Sequence, residues 1–207
     1  MALAEHQGEL DVRFTRMPFC LRPERVGRHK WMDVLKQLGI DRGNPGWEVG
    51  FTRSLAQRGA EVGISFDFER AVVGNSFDSL RLLQWALEGE HGNCDIQNAL
   101  AERLNHAHFE QGRCVCDEEV MLSCCEEVGL SRAAAKALLD GDGCAATIEA
   151  YMHSNRHHSI PVFTFETPYS AFEVDGARGV GEYAALLQMV QKEFQDNEDC
   201  ADIELSQ

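Results

Sequence analysis

The chain is poor in basic charge, in long apolar runs and in paired cysteine motifs. Of its 207 residues, 19 are Lys or Arg against 34 Asp or Glu, a net charge of −15. A phosphate-binding surface needs clustered cations, so this balance argues against nucleic acid as a partner. No apolar run approaches the ~18 residues that a membrane span requires. The N-terminal stretch Met1–Leu10 has no basic segment leading into an apolar one, so no cleaved signal is visible. With Met1 as the true start, the expected setting is soluble and cytoplasmic. Eight cysteines are present, yet none stands in a C-x-x-C. That removes the ribbon type of zinc site and the usual dithiol redox motif. Without a secretory signal a disulfide framework is not expected, and most of the thiols are read as reduced and half-buried.

What is present is enough for a core. Hydrophobic residues make up 44% of the chain, and the length suits one domain or a domain with a sizeable insertion. Leu10, Val12 and Phe14 alternate with polar residues, a strand pattern of period two. Arg22-Pro23-Glu24 marks a turn. Helical spacing follows over residues 29–39 through Trp31, Val34, Leu35 and Leu38, with Gly39 as a stop. A second helix is expected from Trp47 to Glu61, then a short extended piece at Phe66–Phe68. Asn75 or Ser76, Asp95, Asp117 and Ser131 each stand where a side-chain oxygen can accept the free N–H groups of a helix start. Of the four helices they announce, the second is expected to end near Gly112 and the third at Gly129, and the fourth is rich in alanine. Residues 145–156 continue helically. Trp31, Leu83, Trp85, Leu104, Phe109 and Val128 lie on the apolar stripes and are expected to be mostly buried. A last helix is expected over Val180–Phe194, and residues 195–207, acidic and without aromatics, read as a disordered tail.

The most telling stretch is Ser159-Ile160-Pro161-Val162-Phe163-Thr164-Phe165, followed by a turn and Ala171-Phe172-Glu173-Val174. Proline cannot donate to a ladder and is tolerated mainly at a strand's first residue. An X–Pro bond also turns cis at an intrinsic cost of only ~0.5–1 kcal/mol. The stretch therefore suits either an ordinary trans proline at a strand start or a cis-proline turn. Other segments add to it in chain order. Arg16-Met-Pro-Phe-Cys-Leu-Arg-Pro23 resembles a "PF-x-L-x-P" segment. Gly63–Phe68 with Asn75-Ser76 and Arg81-Leu82 resembles "GL-x-F … NT … HRL". Leu104–Gly112 resembles "L-x-x-A-Y-F-x-x-G", and Ser159–Phe163 resembles "GVP-x-F". Together these resemble the DsbA-like thioredoxin superfamily, in its branch of FrnE-type oxidoreductases related to kappa-class glutathione transferases and 2-hydroxychromene-2-carboxylate isomerases.

The resemblance implies an α/β, thioredoxin-like fold with a large helical insertion, its first strand and first helix largely missing. Residues 1–28 and 157–194 would form the thioredoxin-like part, residues 29–156 the insertion and 195–207 the tail. It implies a thiol–disulfide oxidoreductase by descent, with a glutathione-using transferase or isomerase, or a non-catalytic binding remnant, as alternatives. Ser159, Ile160 and Pro161 would face a thiol or disulfide peptide, or glutathione, lying extended along them. The family's catalytic C-x-x-C precedes the first matching segment and has no counterpart here, so no catalytic residue is assigned. The family histidine of "HRL" corresponds to Leu80. Two readings of the missing site stay open: an incomplete chain, or a short protein that has lost catalysis.

Other constellations read as structural. His106 and His108 with Cys114 and Cys116 offer nitrogen and sulfur, but two helical residues two apart diverge by about 200°, so no metal site is assigned. Cys124-Cys125 is a poor vicinal disulfide, because neighbours on a helix point apart. His153, His157 and His158 suit a solvated helix end. Gly176–Gly181 lacks the Lys-Ser/Thr ending of a phosphate loop, although its N–H groups suit a carboxylate such as that of glutathione. Of the eight cysteines, Cys116 lies nearest a helix start, but Asp117, Glu118 and Glu119 surround that start with negative charge.

Overall fold

The structure, a computed structural model, describes residues 12–90, 92–155 and 161–204, with side chains described as far as residue 197. The chain divides into two compact units, residues 14–154 and residues 1–13 with 155–207.

The larger unit is helical. A two-residue strand β1 (His29–Lys30) pairs antiparallel with β2 (Val72–Val73). The helices of this unit are, in chain order, α1 (Trp31–Asp41), α2 (Trp47–Glu61), α3 (Phe77–Glu88), α4 (Cys94–Asn105), a π-helical turn (His106–Glu110), α5 (Glu118–Glu127), α6 (Arg132–Asp140) and α7 (Ala145–Asn155). The caps follow the expected chemistry. Asn75 accepts from Phe77 N–H at 2.9 Å, Asp117 from Glu119 N–H at 3.0 Å and Ser131 from Ala134 N–H at 3.3 Å. Asn93, not Asp95, caps α4, accepting from Ile96 N–H at 2.9 Å. An Asx side chain two positions earlier competes equally well, and here it has the extended backbone a cap needs. α3, α4, α5 and α6 meet around Leu82, Leu100, Leu104, Met121, Cys125 and Ala135. Of the six residues expected in the core, Leu104 is fully buried, while Trp31, Leu83, Trp85, Phe109 and Val128 are half-buried.

Three expectations change in this unit. Residues 12–19 have no regular secondary structure, so the strand read over Leu10–Phe14 is not formed at its described positions. Side-chain amides of α4 hold this segment instead. Gln97 accepts from Arg16 N–H and donates to Arg16 C=O, both at 2.8 Å, and Asn98 donates to Phe14 C=O at 2.5 Å. Residues 14–28 therefore belong with the helices, and Asn75 adds a bond to Pro23 C=O at 2.8 Å. The helix expected to run on to Gly112 passes into the π-helical turn after Asn105. Phe66 and Asp67 lead, without strand pairing, into a turn in which Asp67 C=O accepts from Ala71 N–H.

The smaller unit holds an antiparallel hairpin of β3 (Val162–Glu166) and β4 (Ala171–Asp175), and the helix α8 (Val180–Glu204). Phe165 lies opposite Phe172, with ring centroids 5.1 Å apart. Phe163 and Phe165 face Tyr183 of α8, and Leu187 is buried. Thr167 and Ser170 of the hairpin turn both donate to Glu193 of α8, at 2.8 and 3.0 Å. The helix runs ten residues past the expected stop at Phe194, so residues 195–204 are helical. No glycine or proline follows Gly181 to end it, and the acidic and amide side chains of the tail are compatible with a helix.

Candidate functional site

Two places carry thiol chemistry or its fold signature. The first is the strand opened by Pro161. Ser159, Ile160 and the Ile160–Pro161 bond, expected to be cis, lie outside the described residues. Pro161 is exposed, and its C=O accepts from Gly176 N–H at 2.8 Å, closing the open end of the hairpin. Among the described residues β3 pairs with β4 alone. In the loop before α8, Arg178 N–H meets the Tyr183 hydroxyl at 3.4 Å and Gly179 N–H meets Glu182 at 3.3 Å. These two donors already have partners, which weakens the carboxylate site read from Gly176–Gly181.

The second place is the start of α5. Cys114 and Cys116 are joined as a disulfide, their Cα atoms 5.1 Å apart, within the span such a bridge needs. They are an exception to the reading of reduced thiols. The C-x-C spacing beside a helix cap was the available signal. Cys114 is buried and Cys116 half-buried. The pair rests on Gly74, where an added Cβ would lie 2.9 Å from Cys116 Cβ and 3.2 Å from Cys114 Sγ. The three carboxylates next to it are not bare. Asp117 pairs with Arg28 at 2.9 Å, Glu119 with Arg132 at 2.5 Å and Glu118 with Lys136 at 3.4 Å. The local field at this helix start is therefore closer to balanced than the sequence suggested.

The remaining described thiols differ in setting. Cys20 is buried and donates to Asn75 at 3.5 Å. Cys124 and Cys125 sit in the core. Burial, helped by the neighbouring Cys124 and Glu126, pushes the Cys125 thiol up to about 12. Burial also raises Cys124, with Glu127 adding to it, and raises Cys144 with help from Glu88. Cys94 is half-buried, 3.9 Å from the carboxylate of Asp95.

The two histidines weighed as ligands have different partners. His106 bonds Glu110 at 2.9 Å, while His108 bonds Arg113 C=O at 3.2 Å and packs 5.7 Å from Trp31. Burial holds the His108 imidazole below its usual range, partly offset by that carbonyl. Among the described residues no group of three or more His, Cys, Asp or Glu is arranged to hold a metal ion. No described helix is long and apolar enough to cross a membrane. An open cleft of about 340 Å³ lies beside the aromatic cluster of α1, lined by Met32, Thr52, Phe66, Phe68, Arg70 and Glu110 among others. Its charged groups are largely engaged with one another: Asp67 with Arg70, and Glu110 with His106 and Ser65 N–H.

A hairpin entered through proline and closed by a helix, joined to a helical body, is a thioredoxin-like fold of the DsbA kind. A probable DsbA oxidoreductase from Streptomyces coelicolor has the same fold, with a TM-score of 0.71 over 84% of this chain and 74% of that one, at 21% identity. The DSBA-like thioredoxin domain matches residues 2–160, and the chain belongs to that family. No curated protein matches it.

Proposed function

We propose that this chain is of thiol–disulfide oxidoreductase descent, of the FrnE branch, and that, as it stands, it exchanges protein disulfides poorly through the cysteines it carries. Ser159, Ile160 and Pro161 form its substrate edge. An extended thiol or disulfide peptide, or a glutathione-like molecule, would lie there and pair with backbone groups as an added strand does. The cysteine inventory carries the reading. The family's C-x-x-C is absent from the sequence. The described free thiols are buried or half-buried, and three of them are held toward the protonated form. Exchange needs an accessible thiolate.

The test is insulin reduction with dithiothreitol, on the chain and on Cys116→Ser. The expected rate equals the uncatalysed one for both proteins. Turnover by the chain that disappears in Cys116→Ser overturns the proposal. Conjugation of glutathione to a small electrophile would instead support the transferase or isomerase alternative.

A further inference from the structure

We propose that Cys114 and Cys116 form a reversible redox couple that exchanges with small thiols through Cys116. This site lies in the helical unit and does not depend on strand β3 or on the function proposed above. The two sulfurs differ in access. Cys114 is only 6% exposed, whereas Cys116 is half-buried, so of the two sulfurs Cys116 is the more reachable for an incoming thiolate. The leaving sulfur has a donor ready. Cys116 N–H points at Cys114 Sγ at 3.3 Å, and a hydrogen bond to the departing thiolate favours its departure. The bridge spans a separation of only two residues. A loop that short gains the least from restricting the unfolded chain, so little besides local packing holds the pair oxidised. Gly74 forms the wall behind it, and the carboxylates of Asp117, Glu118 and Glu119 are each paired with a cation.

The exchange balances as follows. A thiolate RS⁻ attacks Cys116 Sγ, the Cys114–Cys116 bond breaks and an R–S–S–Cys116 bond forms. The electron pair of the broken bond leaves on Cys114 Sγ, which then takes a proton from water. A second RS⁻ attacks the R sulfur, releasing RSSR and the Cys116 thiolate, which is protonated in turn. In sum, one disulfide and two RSH give two protein thiols and RSSR, with glutathione as the small thiol tested.

The full chain is equilibrated in glutathione buffers from strongly reducing to strongly oxidising. Free thiols are then alkylated, and residues 114 and 116 are read by fragment-ion mapping. The expected result is conversion from two alkylated thiols to an unmodified disulfide within that range. Cys114→Ser should take up one glutathione at Cys116, while Cys116→Ser should take up none at the buried Cys114. Gly74 has no positive φ, so Gly74→Ala is allowed by the backbone. Its methyl group crowds the locked disulfide more than freely rotating thiols. The value of [GSH]²/[GSSG] at half conversion should therefore fall by roughly tenfold or more, as expected for overpacking. A pair that stays oxidised throughout, or stays reduced throughout, overturns the proposal. Equal glutathione uptake by the two serine variants overturns it as well. If either serine variant fails to fold by circular dichroism, the unsubstituted chain and Gly74→Ala decide.

Discussion

Arg81 should be the costliest single side chain to remove from the helical unit. It lies on α3, and its residue is 5% exposed. Its Nε donates to Gly143 C=O at 2.9 Å, Nη2 to Gly141 C=O at 2.6 Å and to Leu138 C=O, and Nη1 to Asp78 at 2.9 Å. Three of these acceptors are carbonyls at and just past the end of α6, groups a helix cannot satisfy internally. Hydrogen bonds to a charged donor contribute about 1.5–3 kcal/mol each, though not additively. Leaving a buried acceptor without its donor costs about 1–3 kcal/mol. Arg81→Met keeps the apolar stem and removes the donors of three carbonyls, so a loss of about 3–5 kcal/mol is expected. That is a large share of the ~5–15 kcal/mol that typically holds a domain together. At about 2–4 °C per kcal/mol for a chain of this size, Tm should fall by roughly 6–20 °C. Arg81→Lys keeps the charge but has no planar fork, and should fall between the two. Asp78→Asn should cost under ~1 kcal/mol, because the Asp78 side chain is 52% exposed. Urea denaturation followed by circular dichroism measures all three. Arg81→Met within ~1 kcal/mol of the original, with Arg81→Lys indistinguishable from it, refutes the capping argument.

Gly59→Ala should lose about 1–3 kcal/mol in the same assay, because its methyl group would lie 2.6 Å from the Phe66 ring and 3.0 Å from Ile64 C=O; a neutral result would mean the Phe66 ring moves aside freely. Hydrogen bonds from His106 and then Ser65 N–H hold the Glu110 carboxyl below its ordinary 4.5. A lowered carboxyl stabilises the fold above its unfolded value and loses that contribution as pH falls through the folded one. The stability gap between the chain and Glu110→Gln should thus be present at neutral pH and close below about pH 4.5; a gap that widens in acid contradicts this. Cys125, held near 12 against an ordinary 9.0, keeps its proton more tightly when folded. Stability should therefore decline as pH rises from about 9 toward 12, less so in Cys125→Ala. Cys125 is buried and holds its proton tightly, so iodoacetamide should label it only on unfolding, and rapid native labelling would contradict its burial.

The helices of the larger unit were legible because each carries its own signals. Trp47–Glu61 matches the sequence reading at both ends, and the Asp117 and Ser131 caps stand where expected. Those signals are local: a cap oxygen, an apolar stripe, a glycine. What was hidden depends on distant partners. Alternation at Leu10–Phe14 reads as a strand, but a strand needs a neighbouring backbone, and the described part of this segment bonds to the Gln97 and Asn98 side chains. The π-helical turn leaves no mark in the period, because one widened turn is shorter than any window that measures it. At the cysteine pair the sequence showed the spacing and the helix cap. It could not show Gly74 behind the sulfurs, or that Arg28, Arg132 and Lys136 would reach the three carboxylates.

The amide grip on Arg16 sets how that part of the chain lets go. Gln97 presents one carbonyl and one N–H to one residue, which makes it a strand of length one. Asn98 adds a bond to Phe14 C=O and accepts from Arg16 Nε at 3.0 Å. These four hydrogen bonds tie residues 14–16 to α4 and none of them is part of a ladder, so releasing them breaks no strand pairing. The opening of this segment should be a local event, well below the free energy of global unfolding. In native-state hydrogen exchange the Arg16 amide should therefore lose its proton earlier than amides in the middle of α4, and its rate should hardly respond to low denaturant while theirs rise. A thread tied by side chains comes loose one knot at a time, on a clock separate from the body that holds it.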